Sequence, residues 1–187
     1  MVEWEQKREI MQRYDLTSHL YDVRYAQEQT DKMEVAIKDA PLRGEDRILD
    51  VGCGTGLLFK YVAKRTKSVV ALDISLETLL KAQERAKKFE NVHLILADAD
   101  HLPVKSGSFN HLYFMTVLQN VPDPPKTLLE ARRVVKEEGS MVITGLKKKF
   151  TIEKFEELLR SAGLTFRKLK DEGLNCQVAV CKLNKDM

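Results

Sequence analysis

Three glycines alternate in "LDVGCGTG". Gly52, Gly54 and Gly56 follow directly on an apolar run, Ile48 to Val51, that holds one acid, Asp50. Glycine lets a backbone turn sharply and lets a ligand touch it with no Cβ in the way. Two further acids close two other apolar runs: Asp73 follows "SVVAL", and Asp98 follows "VHLILA". A loop made for close approach and three acids at three strand ends describe a site for a small polar molecule.

The chemistry of the acids narrows the ligand. The dinucleotide pattern is G-x-G-x-x-G with a pyrophosphate at the helix start. Here the spacing is G-x-G-x-G, and Leu57 stands where the third glycine of that pattern belongs. Asp50 would repel a pyrophosphate but favours an ammonium. Asp73 can accept both hydroxyl hydrogens of a ribose, and Asp98 can accept from an exocyclic amine. S-adenosylmethionine carries those three groups in that order.

The elements that must position these residues are a series of strands and helices. Helices are expected over residues 1–40, closed by Pro41 and Gly44. Strands are expected at Arg47 to Val51, Ser68 to Leu72, Val92 to Ala97 and Phe109 to Thr116, with a fifth after a glycine turn in "EEGSMVITGL". Helices are expected from Leu57 to Arg65, after Ser75 with Leu76, Leu79, Leu80 and Ala86 as its apolar face, and from Asp123 to about Lys136. A further helix follows Thr151, with Ile152, Phe155, Leu158, Leu159 and Ala162 on one face and a stop at Gly163. Two last strands, near 164–170 and 174–183, are joined by too short a turn to be parallel. Strands alternating with helices mean a mostly parallel sheet covered on both faces.

"LDVGCGTG", "ALDIS", "ADADHLPV", "SGSFNHLYFMTVLQNV" and "EARRVVKEEGSMVIT" resemble, in order, the motifs of class I S-adenosylmethionine-dependent methyltransferases of the type 11 branch, and the whole could suit an archaeal-type RNA base methyltransferase. The resemblance runs from about residue 45 to 183. It implies a three-layer, Rossmann-like, seven-stranded sheet with the last strand antiparallel, forming a core over 45–187 preceded by a helical lid over 1–44. It implies that Asp50, Gly52, Cys53, Gly54 and Gly56 hold the methionine end. Asp73 and Ile74 would meet the ribose, Asp98 and Ala99 the adenine, and Met115 and Thr116 the methyl side. "RYDLTSHLYDVRY" resembles a lid in which a tyrosine closes over the cofactor, so Tyr14, Tyr21 and Tyr25 are candidates, with His19 beside them. The family often has Asp where this chain has Asn110, a position expected far from the ligand.

The acceptor is harder to read. Gln119 and Asn120, just past the fourth strand, are candidate catalytic residues that could hold a substrate polar group. "PDPPK" invites comparison with the Asp-Pro-Pro-aromatic motif of amine methylation, but it reads as a capped helix start. Cys53 reads as structural rather than nucleophilic. The four histidines show no metal spacing, and no metal is expected.

The 187 residues carry a net charge of +3. Lys147, Lys148 and Lys149 follow the fifth strand at the ligand end, where they could bind RNA phosphates. The expectation is therefore methylation of a base nitrogen in rRNA or tRNA, such as the N4 amine of cytidine. The alternative is a small-molecule N- or O-methyltransferase, and a third is a cofactor-binding subunit without activity of its own. Three separate cysteines, a charged N-terminus and no long apolar run suit a cytoplasmic protein away from membranes.

Overall fold

The structure, a computed structural model, describes residues 2–38, 40–169 and 173–184; the side chains of residues 2 and 18–26 fall outside what it describes. Seven strands form one sheet: β1 Arg47–Val51, β2 Ser68–Asp73, β3 Val92–Leu96, β4 Phe109–Phe114, β5 Val135–Leu146, β6 Leu164–Lys168 and β7 Cys176–Leu183. Their order is β3-β2-β1-β4-β5-β7-β6. β1 to β5 run parallel to one another, and β7 runs antiparallel between β5 and β6. This is the expected Rossmann-like sheet. The order reverses between β1 and β4, so the ligand crevice of an open α/β sheet lies at their carboxyl ends.

Alternate residues of the central strands feed two cores. On one face Ile48, Tyr113 and Val142 pack with Phe59, Val62 and Ala82. On the other, Leu49, Val51, Leu112, Phe114 and Ile143 pack with Leu128, Phe155 and Leu159. Asp50 lies between Leu49 and Val51, so it shares the first face with Ile48.

The residues expected to cap helices do so. α3 (Leu76–Ala86) starts where Ser75 accepts from the Thr78 N–H. α4 (Pro124–Val134) starts where Asp123 accepts from the Lys126 N–H, with proline in the first turn. α5 (Ile152–Ser161) starts where Thr151 accepts from the Lys154 N–H. Each such cap is worth about 1 kcal/mol.

Several boundaries differ from expectation. The expected helix at Leu57 to Arg65 shrinks to α2 (Phe59–Val62) and one 3-10 turn, because three glycines with positive φ take up the chain before it. Leu76 and Leu80 of α3 are exposed, while Thr78, Leu79 and Ala82 are buried. α4 stops at Val134, and Gly139 lies inside β5 rather than in a turn. There the pairing with β4 is irregular, jumping from Phe109↔Val135 to His111↔Ser140. A Cβ on Gly139 would come within 2.9 Å of the Asn110 and Lys136 carbonyl oxygens, so glycine serves close backbone approach here.

The first helical region is one helix, α1 (Val2–Lys38), of 37 residues. At ~1.5 Å per residue it is roughly 55 Å long, enough to cross the whole sheet. Its last turns are anchored in the first core by Met33, Ala36 and Ile37. Its first turns lie against the carboxyl ends of the strands, through Lys7, Ile10 and Tyr14. Among the described residues, no helix is long and apolar enough to cross a membrane.

Candidate active site

A cavity of about 90 Å³ opens at the carboxyl ends of β1 to β4. Gly52 and Gly54 form its floor beside Leu72, Asp73, Ile74 and Thr78; Ala97, Asp98 and Ala99 form one side; Met115, Thr116, Val117, Asn120, Val121 and Pro122 form the other. α1 contributes Lys7, Ile10 and Tyr14.

β1 and the Asp73 side chain set the loop. Gly52 and Gly54 have φ of 67° and 55°, which side chains with a Cβ seldom adopt. A Cβ on Gly52 would strike Val117 Cγ2, whereas a Cβ on Gly54 would meet nothing within 4 Å. Gly54 lines the cavity, and the space above it is open. The third glycine differs from both. A Cβ on Gly56 would strike the Phe59 ring, and Gly56 does not line the cavity. Here the missing Cβ makes room for the Phe59 ring.

Asp73 Oδ2 accepts the Gly54 N–H at 2.9 Å and Oδ1 accepts the Ser75 N–H at 3.0 Å. Burial pushes this carboxyl above its usual range, against the pull of those N–H groups. Asp73 lines the cavity. Asp98 Oδ1 accepts the Asp100 N–H at 3.0 Å, and Oδ2 accepts Lys7 Nζ at 2.7 Å. Burial opposes its ionised form, but the Asp100 N–H and Lys7 outweigh burial and hold its pKa down.

Asp50 is 2% exposed and does not line the cavity. Its Oδ2 has no hydrogen-bond partner, and burial together with the nearby Asp73 charge pushes its carboxyl up to about 8. Cys53 packs in the core, and burial and the carboxylates of Asp50 and Asp73 push its thiol up. Its thiol belongs to the core and is not part of the cavity wall.

Just past β4, Thr116 has φ 63°, an uncommon conformation for a β-branched residue. Its N–H donates to Thr144 Oγ1 at 2.7 Å. Its carbonyl accepts from Asn120 Nδ2 at 3.1 Å and from Gln119 Nε2. Asn120 Nδ2 also donates to the Tyr14 hydroxyl at 2.8 Å, and Asn120 Oδ1 accepts from Arg13 at 2.9 Å. Asn120 therefore reaches the cavity. Gln119 does not: it turns back on the Thr116 carbonyl. Tyr14 stands in the cavity wall, and burial pushes its hydroxyl up. The Tyr21, Tyr25 and His19 side chains lie outside the described residues.

Lys147, Lys148 and Lys149 are exposed at the end of β5 and are not part of the cavity wall. Asn110 lies at the opposite end of β4, where its Oδ1 accepts the Arg47 N–H at 3.0 Å, and Lys136 at 3.1 Å. Among the described residues no group of His, Cys, Asp and Glu could hold a metal ion. The sequence reading missed Lys7 and Ile10. Their signal was spacing: residues 3, 7, 10 and 14 fall on one stripe of a helix.

The methyltransferase domain profile matches residues 49–143. The chain belongs to the methyltransferase family, type 11. S-adenosylmethionine is the cofactor this membership implies. A malonyl-[acyl-carrier protein] O-methyltransferase from Marinomonas sp. (strain MWYL1) is 34% identical over 142 residues, which cover 75% of this chain and 52% of that protein. A demethylmenaquinone methyltransferase from Tropheryma whipplei (strain Twist) is 36% identical over 98 residues, covering 52% of this chain and 41% of that one. The chain thus spans about half the length of the curated relatives it matches. Among solved structures, the [4+2]-cyclase SpnF has a TM-score of 0.78 at 18% identity, covering 93% of this chain and 95% of that one. A SAM-dependent methyltransferase from Aquifex aeolicus has a TM-score of 0.69 at 19% identity, covering 83% and 96%. At such identities these likenesses speak for the fold alone.

The residues present fit the cofactor. The orphaned Asp50 Oδ2 suits an ammonium, the open space over Gly54 suits a close ligand, and Asp73 keeps acceptor capacity for hydroxyls.

Proposed function

We propose that the protein transfers a methyl group from S-adenosylmethionine to a small-molecule acceptor. The observation that carries this reading is the cavity itself: its acceptor side is walled by Thr116, Asn120 and Tyr14 and roofed by α1. A roof that belongs to the chain suits an acceptor small enough to enter beneath it. The names of the relatives, a malonyl-carrier O-methyltransferase and a demethylmenaquinone methyltransferase, favour the same reading over the RNA base expected from the charge pattern.

When bound, the cofactor supplies an electrophilic methyl carbon on a sulfonium. What remains for the chain is to bind, orient and exclude water. Asp50 would hold the ammonium, Asp73 the ribose hydroxyls, and Asp98 with Ala99 the adenine edge. Asn120 and the Tyr14 hydroxyl would hold a polar group of the acceptor. α1 would act as the lid of a core that starts near residue 45.

The same residues bound the acceptor chemistry. No histidine lines the cavity among the described residues, Tyr14 stays protonated because burial raises it, and Asp73 and Asp98 are engaged. Among the described residues of the cavity wall, no group is poised to remove a proton. The acceptor should therefore be nucleophilic without a strong base: a carboxylate, a stabilised carbanion or a neutral amine.

The test uses the full chain with methyl-labelled cofactor. Pools of small carboxylic acids, quinols and amines, and separately total RNA, are offered as acceptors. Label in one of the small-molecule pools is expected. Label that stays with RNA and is released by nuclease would replace this reading with the RNA one.

A further inference from the structure

Lys7 is a buried cation with two carboxylates. Its Nζ lies 2.7 Å from Asp98 Oδ2 and 2.5 Å from Asp100 Oδ2, and the residue is 5% exposed. Thr127 donates to the other oxygen of Asp100, and the Asp100 N–H donates to the other oxygen of Asp98. All four carboxylate oxygens thus have partners. Burial works against the Lys7 ammonium, but its bonds to Asp100 and Asp98 outweigh burial and raise its pKa.

The place matters more than the strength. Asp98 ends the run after β3 and is the acid that would accept the exocyclic amine of the cofactor's adenine. In this structure its Oδ2 accepts from an ammonium of the chain itself, Lys7, and both residues line the cavity. The cavity, at about 90 Å³, is also far smaller than the ~300–1,000 Å³ of sites for small molecules.

The fastening of α1 is uneven. Its last turns are held by apolar burial of Met33, Ala36 and Ile37. Its first turns are held mostly by polar bonds: Glu3 to Lys126 at 2.9 Å, Lys7 to the acids, Arg13 and Tyr14 to Asn120, and Asp15 to Ser75. The Glu3–Lys126 bond is exposed and exchanges with water at small net cost; the buried Lys7 bonds open only where Asp98 and Asp100 find other partners, and the apolar contacts of the last turns have no such exchange. The first turns can lift while the last stay anchored.

We infer that Lys7 competes with the cofactor's adenine amine for Asp98, so that the nucleoside is admitted only when Lys7 withdraws and the first turns of α1 open. Lys7 thereby sets both the affinity for the cofactor and its preference at the purine 6-position. The inference rests on the cofactor reading above. If the state with Lys7 withdrawn is ~10% populated, the apparent affinity is reduced about tenfold.

The experiment compares wild type with Lys7→Met, which keeps the length of the side chain and removes its charge. S-adenosylhomocysteine and S-inosylhomocysteine, which has a carbonyl in place of the amine, are titrated by calorimetry. The chain's single tryptophan, Trp4, half exposed in the first turns of α1, reports their movement in wild type. The expected result is about tenfold tighter S-adenosylhomocysteine binding by Lys7→Met, no such gain for the inosine analogue, and a change in Trp4 emission on titrating wild type. Should Lys7→Met not fold, the Trp4 response and its saturation with ligand concentration in stopped flow decide instead. Wild type that binds S-adenosylhomocysteine with silent Trp4 emission, or a folded Lys7→Met that binds no tighter, overturns the inference and leaves the cofactor site standing. Wild type that does not bind S-adenosylhomocysteine overturns both.

Discussion

Asp73 Oδ2 accepts the backbone N–H of Gly54 at 2.9 Å, so the acid that ends β2 holds the glycine loop that leaves β1. The same carboxylate accepts the Ser75 N–H, which sets the start of α3. One side chain thus fixes two loops of the cavity floor. Asp73→Asn keeps the shape but turns one acceptor into a donor facing an N–H. S-adenosylhomocysteine binding should weaken about a hundredfold, on the order of 3 kcal/mol for lost bonds to a charged acceptor. Calorimetry checks this, with circular dichroism to show that the sheet persists.

Asp50 predicts a pH dependence. Its carboxyl is raised to about 8 by burial and the neighbouring Asp73 charge. The folded, ligand-free protein therefore binds a proton that the unfolded chain, with an ordinary carboxyl near pH 4, has released. Between about pH 4 and 8 the unfolded state binds fewer protons, so stability should fall as pH rises through that window. An ammonium seated on Asp50 reverses the preference. Binding of S-adenosylhomocysteine near pH 7 should release a proton and tighten as pH rises toward 8. Calorimetry in buffers of different ionisation enthalpy measures the proton. Asp50→Asn should melt higher at pH 8 than wild type and bind at least tenfold more weakly; a variant that melts lower and binds normally would show Asp50 to be merely structural.

Gly52 has φ 67° and no room for a Cβ beside Val117. Gly52→Ala should cost about 1–2 kcal/mol for the left-handed backbone, plus the overlap with Val117 Cγ2. Adding Val117→Ala should recover the overlap but not the backbone cost. Chemical denaturation of the single and double variants gives both numbers.

Asn120 and Tyr14 join across the acceptor side at 2.8 Å. Tyr14→Phe and Asn120→Ala should each lower kcat/KM by roughly tenfold or more for the true acceptor, while binding of S-adenosylhomocysteine changes little. Gln119→Ala, which removes a side chain turned away from the cavity, should act through the Thr116 carbonyl and cost less. Equal losses in all three would show that the loop, not the acceptor contacts, was disturbed. Replacing Lys147, Lys148 and Lys149 together by Ala should leave activity on a small acceptor within about twofold, because none of them reaches the cavity wall.

The sequence alone determined the local features. Three caps, Ser75, Asp123 and Thr151, are legible because each is a short polar side chain ahead of an amphipathic run. The sheet class is legible because buried strands and helices alternate, and the antiparallel β7 because its connection to β6 is short. The glycine loop and the acids at 50, 73 and 98 could be placed at strand ends because a strand boundary is a local event. The tertiary structure decided what depends on contacts far apart in the chain. It put Asp50 under burial with no partner for its Oδ2, turned Gly56 and Cys53 to packing, and left Lys147 to Lys149 outside the cavity. It also brought Lys7 against Asp98, 91 residues away. No periodicity encodes that meeting. It arises because α1 folds back over the carboxyl ends of the strands, and the partner of a charge is set by which surfaces the fold brings together.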